Sequence, residues 1–268
     1  MILRNSLLVS SLLSNSEAWY NITKAEKELL ESVDVQYLRN LLKAPRSTPR
    51  ELLYLELGCI PLRELIIKRR ILFLHYIMNE DENSMIVKFF ETQLKTRRPK
   101  DWISSILKDL EDMKMELTID EIKDLKIATL KRLITKEIAK MAYQQLMSLK
   151  ETHSKARNLK YCNLKMQNYL KPRRVKLTEE EIQTIFKIRS RVTDVKLNYR
   201  GKYENLECRV CKKEEESQKH LYECDDISKS IADNRKKVEF KKIFGDLRNQ
   251  VEIAKEFIKR MKIKSKFG

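Results

Sequence analysis

Three cysteines and a histidine fall within seventeen residues, as Cys208-Arg-Val-Cys211, eight residues, His220, then Leu-Tyr-Glu-Cys224. This C-x2-C-x8-H-x3-C spacing constrains the local structure strongly. Cysteines two residues apart reach one point from a tight turn, and a His and a Cys four apart share one face of a helical turn. Tetrahedral zinc takes four such N and S donors, and a sphere closed by protein ligands leaves no position for an activated water. The spacing therefore predicts one structural Zn2+ held by Cys208, Cys211, His220 and Cys224. The competing readings are chance clustering, or a redox pair at Cys208 and Cys211, for which no thioredoxin-like βαβ setting is visible nearby. Cys59 and Cys162 lack ligand-type neighbours and read as packing residues. Five cysteines form no even disulfide framework, so a reducing, intracellular setting, nuclear and/or cytoplasmic, is expected.

The rest of the chain is written for helices. Thr23-Lys-Ala-Glu26, Thr118-Ile-Asp-Glu121 and Thr178-Glu-Glu-Glu181 are capping boxes, each able to satisfy two orphan backbone donors reciprocally. Thr48-Pro49-Arg50-Glu51 places proline at a helix start, Gly58 suits a left-handed C-terminal cap, and Pro61 opens the next helix. That helix is apolar on more than one stripe from Leu62 to Ile77, so it belongs in the interior, with Lys68, Arg69 and Arg70 finding an exposed edge and His75 satisfied within the core. Further helices are predicted from Trp102 to about Met115, capped by Asp101, and along the stripe from Leu130 to Leu149. A final amphipathic segment carries Ile243, Leu247, Val251, Phe257 and Met261, with a possible break at Gly245-Asp246. Four Gly and five Pro in 268 residues leave little material for a turn-rich β fold. The expected fold is all-α: a bundle of amphipathic helices with a small CCHC zinc knuckle near the C-terminus and a C-terminal helix.

Charge is the second constraint. The formal net charge is +17, and it is concentrated: residues 155–202 hold fourteen Lys or Arg against four acids, and residues 227–268 hold thirteen against five. One such run is often no more than a solvated helix face, but two runs flanking a metal motif favour a polyanion, and nucleic acid, RNA and/or DNA, is the commonest. The candidate contacts are Arg173, Arg174, Lys187, Arg189, Arg191 and Lys196 in the upstream run, and Arg209, Lys212, Lys213 and Lys219 around the knuckle. Tyr161, Tyr169, Tyr199, Tyr203 and Tyr222 are interleaved and could stack on unpaired bases. No stretch is long and apolar enough to span a membrane, and the N-terminal apolar run, interrupted by serines, lacks a signal-peptide cleavage site. Neither secretion, a membrane partner nor a small-molecule substrate is expected.

Several segments also resemble one family. Leu3 to Trp19 looks like the stretch that closes the reverse transcriptase domain of non-LTR (LINE-type) retrotransposons, and Cys208 to Cys224 is similar to the zinc-binding region associated with that domain. Leu53 to Pro61 and Arg69 to Leu74 resemble the helical linker between these landmarks. The resemblance implies a C-terminal polyprotein fragment: residues 1–20 the end of the polymerase thumb, 21–200 the linker, 201–226 the knuckle and 227–268 a basic helical segment. It implies contact with element RNA and target DNA, and the remainder of the polyprotein as a partner. The family's catalytic aspartate pair is absent, since Asp225-Asp226 follows Cys224 directly with no Phe/Tyr-x-Asp-Asp context, and no endonuclease signature follows. No catalytic residue is expected. Two other classes stay open: a helical protein-interaction module with a purely structural zinc, and an enzyme with an unrecognised site.

Overall fold

The computed structural model describes residues 3–148, 164–171, 177–231 and 238–267. Among them the secondary structure is helical, with one isolated antiparallel bridge between Glu207 and Glu215 and no strand. The fold is all-α, as the capping boxes and scarce glycines predict. All three boxes form: the Thr23, Thr118 and Thr178 hydroxyls accept from the backbone N–H three residues on, and Glu26, Glu121 and Glu181 accept in return from the threonine N–H. The chain divides into two compact units, residues 1–37 with 59–147 and residues 38–58 with 148–268.

In the first unit, α1 (Ser10–Leu12) follows a π-helical stretch, Arg4–Val9. Most of α2 (Lys24–Leu42) belongs here, with α4 (Leu62–Met78), α5 (Met85–Thr96), α6 (Trp102–Asp112), α7 (Ile119–Asp124) and α8 (Ile127–Ser148). Helix α4 is the central element, and its Ile71, Leu74 and Ile77 pack with Phe90, Ile106, Leu110, Ile122, Ile134 and Ile138. Asp101 caps α6, which stops short of the expected Met115 because Lys114 takes a left-handed φ of 53°. His75 is satisfied, with Nε2 at 2.8 Å from the Leu125 carbonyl. Arg70 departs from expectation. It is buried, not at an exposed edge, because Asp109 of α6 lies 3.0 Å from its guanidinium. Burial, opposed by Arg70, pushes the Asp109 carboxyl up to about 6.

The second unit contains α3 (Arg50–Leu57), α9 (Glu179–Arg189), α10 (Gln218–Glu223), α11 (Asp225–Ile231) and α12 (Leu247–Lys264), with 3-10 turns at Asn168–Leu170, Lys196–Lys202 and Phe240–Phe244. Gly58 ends α3 in the left-handed region, φ 63°, and packs so closely that an added Cβ would lie 2.1 Å from the Met166 nitrogen. At Gly245-Asp246 the final segment does change character, from a 3-10 turn to an α-helix capped by Asp246. The polar centre of this unit is Glu56, 1% exposed, which accepts from Arg189 Nε at 3.0 and 3.1 Å and from the Tyr169 hydroxyl at 2.7 Å. Arg189 also donates to the Ile243 carbonyl and Gln167, and stacks over the Tyr169 and Phe244 rings. Arg189, expected to contact nucleic acid, is therefore buried, and so is Tyr169, expected as a stacking ring. A fully hydrogen-bonded ion pair is the form in which two charges tolerate burial.

Candidate metal centre

Residues 206–216 fold back on themselves. Cys208 N–H donates to the Glu214 carbonyl at 2.7 Å and Glu216 N–H to the Leu206 carbonyl at 2.8 Å. Within this small hairpin Lys212 adopts φ 53°, and its N–H closes the turn on the Cys208 carbonyl, bringing Cys208 and Cys211 to one side. Ser217 then caps α10, accepting from His220 N–H at 2.9 Å, so His220 and Cys224 sit one turn apart facing the hairpin. The two local rules in the spacing, turn and helical turn, are both realised.

The four ligand atoms lie within 4.8 Å of one another, and Cys211 Sγ is 3.3 Å from His220 Nε2. A tetrahedron with metal–sulfur bonds of about 2.3 Å has edges near 3.8 Å, so the donors already stand close to the geometry an ion requires. His220 Nδ1 lies 3.0 Å from Glu214 Oε2. That contact sets a carboxylate behind the ring and turns Nε2 toward the cluster, the usual support for a metal-bound imidazole. Backbone N–H groups point at the sulfurs: those of Cys211 and Val210 at Cys208, of Lys213 and Glu214 at Cys211, and of Ile227 and Asp226 at Cys224. Such donors favour thiolate over thiol. Burial alone raises Cys211, yet those amides with Cys208 and His220 bring it down to about 7, whereas burial prevails at Cys208, pushed up to about 11, and raises Cys224. The group is fit to hold a metal ion.

The hairpin is anchored by buried charges outside the predicted site residues. Glu216, fully buried, accepts from the backbone N–H of Lys196 and Arg209 and faces Lys264 at 3.5 Å. Arg260, also fully buried, donates to the Leu221 and Cys224 carbonyls at the end of α10 and to Ser228, and lies over the Tyr222 ring. Cations at a helix C-terminus meet the unsatisfied carbonyls and the negative end of the dipole. The signal was available in the register of α12, because Gln250, Ile253, Ala254 and Phe257 are buried and the same stripe continues through Arg260 and Lys264.

The proposed nucleic-acid contacts separate into groups. Lys212, Lys213 and Lys219 are exposed around the knuckle, and Lys187, Arg191 and Lys196 are half-buried. Arg209 is drawn inward by Glu216, Asp194 and the Tyr203 hydroxyl. Tyr222 is buried and donates to the Val238 carbonyl. Arg173, Arg174, Tyr161 and Cys162 lie outside the described residues. Asp225 and Asp226 open α11 directly after Cys224, and Asp226 faces Lys213 and Lys229. No helix among the described residues is long and apolar enough to cross a membrane. Comparison with family models, curated proteins and solved structures finds no match.

Proposed function

We propose that the chain is a zinc-ordered nucleic-acid-binding module, of the kind found at the C-terminal end of non-LTR retrotransposon polyproteins, with no polymerase or endonuclease centre of its own. The observation that carries this reading is the segregation of charge. The unit holding the metal ligands has thirty-six Lys or Arg against twenty acids, whereas the other has twenty against nineteen. A charge excess confined to the metal-bearing unit is the electrostatic footprint of a polyanion site. Three sulfurs and one imidazole select zinc among abundant intracellular ions, and four protein ligands make the site structural.

The knuckle itself is not the main contact, since residues 201–226 carry eight acids against five Lys or Arg. The flanks serve better. Lys255, Lys259, Lys262 and Lys266 are exposed at spacings of four, three and four, one outer face at the C-terminal end of the chain, while Arg260 and Lys264 on the inner face hold the knuckle. Zinc thus orders the element that α12 grips, and α12 with the 3-10 turn Ser265–Phe267 after it presents the phosphate-binding row. Converting those four exposed lysines to alanine weakens RNA binding without changing the helical circular dichroism, and unchanged affinity refutes the assignment.

A protein-interaction role has its own support in the first unit. Tyr20 and Phe89 are exposed beside a cavity of about 620 Å3 that Phe73, Ile86 and Trp102 also line. Such an apolar patch suits a protein partner, including the rest of a polyprotein.

A further inference from the structure

The second unit contains a cleft of about 950 Å3, at the upper end of the range for ligand sites. Its walls come from the loop after α2, from α9, from the turn at 192–194, from the 3-10 turn Lys196–Lys202 and from α12. Two chemistries meet there. Val192, Phe257, Ile258 and Met261 supply an apolar lining, and Tyr199 and Tyr203 add two aromatic rings. Lys43, Arg46, Lys187, Lys202 and Lys262 supply five cations, against Glu180 and Asp194. Asp194 is already engaged by Lys264 and Arg209, and Lys43 by Glu179 at 2.7 Å, so the remaining charge is positive.

The rings are held in place. Tyr199 donates its hydroxyl to the Val192 carbonyl at 3.1 Å and has Lys202 over its ring, while the Tyr203 hydroxyl accepts from Arg209, whose guanidinium lies over that ring. Immobilised aromatics lose little entropy on stacking, and every base offers a face, so such rings bind unpaired bases with little regard to sequence. Phosphates on either side would meet the cations. A duplex keeps its bases stacked inside and offers this cleft only its backbone.

Resting on the nucleic-acid reading above, we infer that this cleft receives an unpaired nucleotide of a single strand, with the base against Tyr199, Tyr203 and the apolar lining and the flanking phosphates at the cationic rim. Phosphate attraction alone would leave single strands and duplexes poorly distinguished, and the cleft supplies the discrimination.

The test uses the full zinc-loaded chain with a labelled 15-nucleotide single-stranded RNA and its duplex at fixed salt. Tyr199→Leu with Tyr203→Leu removes both rings while keeping apolar side chains there and leaving every cation in place. Single-strand affinity is expected to fall roughly tenfold, the loss of about one base stack, with duplex affinity unchanged. A second measurement needs no variant: RNA bearing 5-iodouridine should crosslink under ultraviolet light to the peptides holding Tyr199 or Tyr203. Binding of both probes with no selective loss and crosslinks elsewhere would overturn the cleft but leave the module intact. No crosslink at Tyr199 or Tyr203, together with an acidic peptide that binds the parent chain but not the variant lacking both rings, would assign the cleft to a protein ligand instead. Absence of binding to either probe would refute the module itself.

Discussion

Replacing Arg189 by methionine separates a structural role from a nucleic-acid role at the residue where sequence and structure disagree most. Arg189 is 2% exposed and gives its donors to Glu56, Gln167 and the Ile243 carbonyl. Methionine fills similar space and supplies none of them. Glu56 keeps only the Tyr169 hydroxyl among these partners, and breaking a buried ion pair by removing one member costs about 3–5 kcal/mol. Removing both charges, as Glu56→Leu with Arg189→Met, leaves no orphaned ion and is expected to recover more than half of that loss. Urea denaturation followed by circular dichroism measures both variants, with the midpoint shift read at constant m. If Arg189→Met denatures like the parent chain but binds RNA more weakly, Arg189 is a phosphate contact and the buried-pair reasoning is wrong.

Three shorter expectations accompany it. Glu214→Gln exchanges the carboxylate behind His220 for a neutral amide and should lower zinc affinity by about 10- to 100-fold in a competition titration with a chromophoric chelator; equal affinity would show the contact to be incidental. Gly58→Ala combines a φ of 63° with a Cβ 2.1 Å from the Met166 nitrogen, and a loss above about 1 kcal/mol is expected on urea denaturation, with no loss contradicting the close approach. The folded chain holds the Asp109 proton more tightly than the unfolded chain, so this group favours folding fully below about pH 4, and that contribution is lost as pH rises through about 6. Asp109→Asn should remove this part of the slope in a series of denaturation curves from pH 4 to 7, and an identical slope would refute the shift.

What the sequence made legible was local chemistry. A Thr and a Glu three residues apart carry their own hydrogen-bond geometry, and each of the three boxes forms where it is written. The metal cluster was readable for the same reason, since a turn and a helical turn bring the four ligands together. Buried cations were illegible because their partners are distant: Glu56 lies 133 residues from Arg189, and Leu221 lies 39 from Arg260. An arginine on an amphipathic helix looks the same in sequence whether it faces water or a buried carboxylate. Arg70, Arg189 and Arg260 were each settled by tertiary packing, and only the register of α12 gave advance notice of one of them. The two charge runs fall in the metal-bearing unit, and fewer of their members reach solvent than the sequence suggests, since Arg189, Arg260 and Lys264 are buried.

The most direct measurement is the salt dependence of RNA affinity for the zinc-loaded chain. A polycationic unit binding a single strand releases counterions, so the logarithm of the association constant should fall linearly with the logarithm of salt, with a slope of about −0.7 per phosphate contacted. The variant with Lys255, Lys259, Lys262 and Lys266 replaced by alanine should show a shallower slope, and chelation of the metal should weaken binding by disordering the knuckle that α12 holds. Affinity absent at low salt, or unchanged between low and high salt, would contradict a nucleic-acid role and leave the Cys3His cluster as a staple within a helical interaction protein.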